Sequence, residues 1–217
     1  MKKINSIIWD WNGTLLDDLD LCINVINVLL EKRKLPVLDK NRYKEVFSFP
    51  VKEYYQSVGF DFTKEAFATP AREFIDLYNQ KVVECKLHSS AMEVLNYFQS
   101  NGYRQFVLSA MKEETLVKTL RQRGILEFFD GIAGLNDHYA VSKIERGLQF
   151  IQQYSIDKSK SYIIGDTIHD FEVAEELNIN CILIADGHQS YERLKKTGTT
   201  IFSGISQLIR NDKLIFA

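Results

Sequence analysis

Four short stretches of this sequence carry side chains that could do chemistry. The first is Ile7-Ile8-Trp9-Asp10-Trp11-Asn12-Gly13-Thr14: an apolar run halted by a carboxylate, a glycine three residues on, and a hydroxyl behind it. A carboxylate there can attack an electrophile or hold a metal ion, because ligands of open α/β sheets bind just beyond the carboxyl ends of the strands. The plainer account is a strand followed by an ordinary Asp/Asn/Gly turn. The second stretch is Ser109, which closes Gln105-Phe106-Val107-Leu108 and precedes a helix at Met111-Lys112. Its hydroxyl, with the N–H groups from Ala110 onward, would make a helix-start anion site, although a serine so placed is more often only a cap. The third is Lys143, at the head of a helical pattern, where an ammonium can sit beside a phosphoryl group or simply face water. The fourth is Gly165-Asp166-Thr167-Ile168-His169-Asp170, two acids four residues apart behind the apolar Tyr162-Ile163-Ile164. Magnesium takes hard oxygen ligands and keeps several waters, so two or three carboxylates are enough to hold it. An acidic helix cap explains the same pattern without a metal.

These side chains act together only if strands and helices converge on them. Ile4, Ile7, Ile8 and Trp9 read as a buried strand. After Asp17-Asp18, the apolar residues Leu19, Cys22, Ile23, Ile26, Leu29 and Leu30 recur at helical spacing, and Lys32-Arg33-Lys34 suits the helix C-terminus. Pro36 breaks that run. Further helices are expected over 42–47, from Pro50 onward and over 64–84, with no strand signal among them. From residue 89 the character changes. A helix stops at Asn101-Gly102, and strands over 105–108, 131–133, 162–164, 181–184 and 200–202 then alternate with helices. Such alternation predicts parallel sheet with right-handed crossovers. The fold class is therefore α/β: a Rossmann-like parallel sheet flanked by helices, built from residues 1–16 and 86–217, with an all-helical insert over 17–85.

Composition narrows the function. With 217 residues the chain can bury a substantial core. A net charge of −2 gives no reason to expect nucleic acid or an anionic membrane as partner. Cys22, Cys85 and Cys181 are odd in number and far apart, which points to reduced thiols and a cytoplasmic setting. Lys2-Lys3 precede an apolar run far too short for a signal peptide or a membrane span.

Taken together and in this order, the four stretches resemble the haloacid dehalogenase superfamily of phosphatases. The first motif of that family is Asp-x-Asp-Gly-Thr after the first strand, followed by Ser or Thr at the end of the second, a later Lys, and a closing Gly-Asp-x-x-x-Asp. Asp10 to Thr14, Ser109, Lys143 and Gly165 to Asp170 stand at these positions. The resemblance covers the whole chain, and phosphoglycolate-phosphatase-like and phosphomutase-like members share its layout, with the insert as a helical cap. It implies Asp10 as nucleophile toward a small phosphorylated metabolite. It further implies Mg2+ held by Asp10, the backbone carbonyl of Asn12 and Asp166, with Asp170 close behind or acting through water. Thr14, Ser109, Ala110 and Lys143 would hold the phosphoryl oxygens. Phe47, Phe49, Lys52 and Tyr54 of the cap would contact substrate, with hinges near residues 15–18 and 86–88. His169 is expected to face solvent beside the site, and His188 to be a turn residue or a contact. A monomer or homodimer fits equally.

One position departs from the family. The aspartate normally found two residues after the nucleophile, as acid for the leaving group and base for the hydrolytic water, is Asn12 here. An amide cannot shuttle a proton, and losing a positioned general acid–base costs about 10²–10⁴-fold. A slow phosphatase, or one specialised for good leaving groups such as acyl or aryl phosphates, follows. Two alternatives stand beside it. A phosphonatase-like C–P hydrolase also lacks that aspartate, carries Trp after its nucleophile as Trp11 does here, and uses a cap lysine for which Lys52 qualifies by position. A non-catalytic module binding a phosphoryl ligand or magnesium is the other.

Overall fold

The structure is a computed structural model that describes residues 6–135 and 143–212. Lys2, Lys3 and Ile4 lie outside the described residues. The chain opens on β1 (Ser6–Trp9), then forms a two-residue strand β2 (Leu16–Asp17) and helices α1 (Leu19–Lys32), α2 (Lys40–Val46), α3 (Val51–Ser57) and α4 (Ala68–Lys81). A second short strand, β3 (Lys86–Leu87), pairs antiparallel with β2. Then come α5 (Ala91–Ser100), β4 (Arg104–Lys112), α6 (Glu113–Gln122), β5 (Gly131–Leu135), α7 (Lys143–Tyr154), β6 (Ser161–Gly165), α8 (Ile168–Leu177), β7 (Asn180–Ile184), α9 (Tyr191–Leu194), β8 (Thr200–Phe202) and α10 (Gln207–Arg210).

Six of the strands form one parallel sheet in the order β5-β4-β1-β6-β7-β8. The α/β class expected from the sequence is therefore the observed one. All four residues of β1 are buried, as expected for a central strand covered on both faces. Side chains alternate across it: Ile7 and Trp9 join the larger core with α1, α5 and α6, whereas Ile8 joins Phe106, Ile163, Phe150 and Val173 beneath α7 and α8. Buried Gln105 ties the first of these layers, accepting from Trp9 Nε1 at 3.1 Å and donating to the Leu95 carbonyl at 3.0 Å.

Between β2 and β3 the chain is helical, with its own aromatic core of Tyr43, Tyr54, Tyr55, Phe60 and Tyr78. Arg33 at the end of α1 reaches Glu65 and, at 3.0 Å, Glu73 of α4. The helix expected over 64–84 is shorter: α4 ends at Lys81 and a 3₁₀ turn, Val82–Glu84, leads into β3. The β2–β3 ribbon, too short to leave a periodic signal, ties the two connections to the sheet together, with His88 N donating to the Leu15 carbonyl at 3.0 Å.

Candidate active site

The neighbours of β1 decide what surrounds Asp10. Trp9 pairs in register with Val107 of β4 and Ile164 of β6, so the residues that follow these three paired positions emerge side by side. Asp10 N donates to the Ile164 carbonyl at 2.8 Å, and Asp10 is 9% exposed. The chain then reverses sharply, with Leu15 N and Leu16 N both donating to the Trp11 carbonyl. Gly13 sits in that turn at φ +75, and a Cβ there would collide with the Asp166 carboxylate and the His188 ring. No other residue type meets both demands.

Asp166 leaves the end of β6 fully buried. Its two oxygens accept from Thr14 Oγ1 at 2.9 Å and from His188 N at 2.6 Å. Four residues on, Asp170 closes a capping box with Thr167 at the head of α8: its Oδ2 accepts from Thr167 N at 3.0 Å and Thr167 Oγ1 at 2.7 Å. That leaves Oδ1 free to face Lys143, whose Nζ lies 2.6 Å from it and 2.6 Å from Asp10 Oδ1. The helix-cap account of this motif and the functional account therefore describe one geometry. Carboxylate oxygens of Asp10, Asp166 and Asp170 all lie within 4.8 Å of one another.

Electrostatics follow from the count: three buried carboxylates face one ammonium. Burial pushes the Asp10 carboxyl up, Lys143 opposes this, and Asp170 and Asp166 push it further. Burial also raises Asp166, against the pull of His188. Asp170 goes the other way, because Lys143 and the Thr167 hydroxyl outweigh its burial. The surplus negative charge fits a hard divalent cation with oxygen donors.

Asp10, Lys143 and Asp170 floor a cavity of about 510 Å³, with Asp166 buried behind them, and its other wall is Phe47, Phe49, Tyr54, Tyr55, Phe74 and Tyr78 from the helical insert. A model of the family described as "Haloacid dehalogenase-like hydrolase" matches residues 7–184. The chain belongs to this family. It is 22% identical over 195 residues to "Probable phosphatase IndB" of Dickeya dadantii, covering 87% of this chain and 84% of that one. It is 23% identical over 169 residues to "Pyrophosphatase PpaX" of Halalkalibacterium halodurans, covering 77% of each. Among solved structures, a haloacid dehalogenase-like family hydrolase from Streptococcus pneumoniae superposes with a TM-score of 0.83 at 21% identity, covering 98% of this chain and all of that one. At that identity the likeness speaks to fold.

Within this haloacid dehalogenase-like fold, Asp10, Asn12, Ser109, Ala110, Lys143, Asp170, Phe49 and Lys52 all line the cavity, Lys52 as an exposed residue. Thr14 does not: it is fully buried and its hydroxyl is committed to Asp166. Ser109 is brought to the site by a device other than the expected one. It does not end its strand, since β4 runs to Lys112 and α6 begins only at Glu113, so no helix N-terminus stands behind Ser109. The register against β5 instead slips between Leu108 and Lys112, where β4 advances four residues while β5 advances two. Such a bulge re-aims the backbone beside a site, and Ser109 Oγ accepts from Met111 N at 3.1 Å.

The two histidines are more closely held than the sequence suggests. His169 does not simply face solvent: its ring stacks on Phe49 with centroids 4.7 Å apart and lies 3.3 Å from Glu172. His188 lies in the bend after β7 and lines the cavity, as expected, and it is buried there. Its Nε2 lies 3.2 Å from Asp18 Oδ1 and its Nδ1 3.1 Å from the Tyr43 hydroxyl. Burial alone would lower its pKa, but the Asp18 carboxylate prevails and raises it to about 9, while His188 in turn holds Asp18 down.

Asp18 itself was not singled out by the sequence, which reads it as the start of α1. It occupies the N-cap position yet makes no side-chain cap bond. Its oxygens accept from Gly13 N at 2.8 Å, Asn12 Nδ2 at 2.8 Å and the Tyr78 hydroxyl at 2.7 Å. Asn12 Nδ2 is also 2.6 Å from the Tyr78 hydroxyl. The Asp17-Asp18 doublet was the only available hint, and it cannot say which acid turns inward.

Proposed function

We propose that this chain is a magnesium-dependent phosphatase acting on a small phosphorylated metabolite through an aspartyl-phosphate on Asp10. The observation that carries this reading is the buried Asp10–Lys143–Asp170 arrangement beside Asp166 at the floor of the cavity. Asp10, Asp166 and the backbone carbonyl of Asn12 would hold Mg2+, with Asp170 behind them. Bound there, the ion neutralises phosphate charge so that an anionic nucleophile can approach.

The chain's own residues supply the rest. Asp10 attacks phosphorus in line, the bond from phosphorus to the ester oxygen breaks, and that oxygen leaves with the electron pair and takes its proton from water. Water then attacks the same phosphorus, the bond to the Asp10 oxygen breaks, and phosphate leaves. Lys143, Ser109 and the N–H groups near Ala110 oppose the charge on the phosphoryl oxygens, where the transition state carries most of it. Thr14, by holding Asp166, fixes a carboxylate rather than touching phosphate. Residues 17–85 act as a cap over residues 1–16 and 86–217, with Phe49 and Lys52 at the substrate, and closure excludes water. A Schiff-base role for Lys52, as in a C–P hydrolase, calls for a desolvated amine, and Lys52 is exposed.

The test is turnover of p-nitrophenyl phosphate and acetyl phosphate with and without magnesium. Wild type is expected to be active only with the ion, and Asp10→Asn to lose roughly 10⁴-fold or more, the scale of a lost nucleophile. Equal turnover in Asp10→Asn would overturn the reading.

A further inference from the structure

We propose that the ester cleaved at this site is an aryl phosphate: a monophosphate of a phenol that carries no second anionic group. This rests on the phosphatase reading above and adds to it the class of leaving group.

Two independent features lead there. The first is the wall facing the catalytic floor. Phe47 packs edge-on against Phe49 at 5.5 Å and Tyr54 at 5.3 Å, and Tyr54 meets Tyr55 at 5.6 Å. Linked rings of this kind form a firm apolar surface suited to another ring. Among the described residues no arginine lines the cavity, and each lining lysine is otherwise placed. Lys143 is held between Asp10 and Asp170, Lys112 lies 3.0 Å from Glu114, and Lys52 is exposed at the start of α3. A second phosphate or a carboxylate on the leaving group would thus enter among rings and next to buried Asp18, where the lining His188 is already engaged by that carboxylate and Lys52 keeps its ammonium in solvent.

The second feature is Asn12. A phenol ionises near pH 10, so a phenolate leaves without being protonated in the same step, whereas an alkoxide needs an acid. Asn12 supplies none: its amide nitrogen is occupied by Asp18 and Tyr78. The wall selects a flat apolar body, and the missing acid selects a weakly basic leaving oxygen. A phenol satisfies both. In the overall reaction ArO–PO₃²⁻ and water give ArOH and HPO₄²⁻. The electron pair of the broken P–O bond leaves on the phenolate oxygen, which then takes its proton from water.

The experiment compares kcat/KM of the full chain with magnesium for 2-naphthyl phosphate, cyclohexylmethyl phosphate, phosphoglycolate and pyrophosphate, with acetyl phosphate as reference. Naphthyl phosphate is expected to exceed each of the other three by at least about 100-fold, the scale of a missing general acid for the two alkyl esters and of an unpaired charge among the rings for pyrophosphate. Phosphoglycolate or pyrophosphate within about tenfold of naphthyl phosphate overturns the inference. Phe49→Ala is expected to raise KM for naphthyl phosphate by about tenfold and Phe49→Tyr to restore it; an unchanged KM in Phe49→Ala counts against the wall. Failure of the phosphatase reading looks different, because acetyl phosphate, which needs neither wall nor acid, is then not turned over. In that event calorimetric titration of Asp10→Asn protein decides alone: tighter binding of naphthyl phosphate than of phosphoglycolate supports the inference, and equal or weaker binding overturns it.

Discussion

Asn12 and Asp18 make sense as a pair. The amide donates to the very carboxylate oxygen that also accepts from Tyr78, so an aspartate at position 12 would set a second negative charge against Asp18 in a buried place. Asn12→Asp alone is therefore not a simple repair of the family motif. It is expected to destabilise the protein by about 1–3 kcal/mol, the scale of a broken buried hydrogen bond replaced by repulsion. Adding Asp18→Asn should return at least half of that loss. Denaturant unfolding of the two single variants and the double gives a coupling energy, expected at about 1 kcal/mol or more; additivity would mean the pair is not linked. Only the doubly changed protein is expected to gain turnover of alkyl phosphates.

Among the elements, α8 shows how a local rule serves a distant residue. Thr167 caps the helix and fixes Asp170, and Asp170 fixes Lys143. Thr167→Ala removes the hydroxyl that both accepts from Asp170 N and donates to Asp170 Oδ2. It is expected to cost about 1 kcal/mol of stability as a lost cap, and in addition to lower kcat, whereas Thr167→Ser should retain most of both. A stability loss with unchanged kcat would show that the cap is structural only. A second element-scale feature joins the insert to the core: Arg193 donates to the carbonyls of Phe47, at 2.6 Å, and Lys44, at 3.0 Å, and Gln189 donates to Phe47 as well. These bonds satisfy the open C-terminal carbonyls of α2 and hold Phe47 over the site.

At the scale of the whole molecule, charge decides stability. Three buried carboxylates balanced by one lysine leave a molecule that a divalent cation should stabilise. Magnesium at about 100 times its Kd adds about 2.7 kcal/mol, or roughly 5–10 °C in Tm for a chain of this length. Asp166→Asn is expected to abolish most of that rise in a thermal melt; an undiminished rise would place the ion elsewhere. The Asp18–His188 pair sets a separate pH dependence. His188 is raised from its ordinary 6.5 to about 9, so its contribution is complete below pH 6.5 and disappears as pH climbs through 9. Asp18 is lowered, so its share is complete above the ordinary carboxylate range and disappears on acidification. Metal-free wild type is thus expected to exceed His188→Gln most between about pH 5 and 7, by roughly 3 kcal/mol, with the gap narrowing toward pH 9. A gap independent of pH would mean that His188 contributes by packing alone.

The sequence by itself determined the strand–helix alternation, the helical insert, and the positions of Asp10, Ser109, Lys143, Asp166 and Asp170, because periodicity and strand-end motifs are local. It did not determine that Asp18 turns inward while Asp17 stays exposed, that Thr14 serves Asp166, or that Ser109 arrives on a bulge instead of at a helix start. Nor did it reveal His188 as a buried partner of a residue 170 positions away. Each of these depends on what packs opposite: the register of β4 against β5, the strand order that sets β1 between β4 and β6, and the tyrosines that α2 and α4 bring down over the site. Spacing along a chain fixes which side chains share an element's face, but only the tertiary structure decides which faces meet.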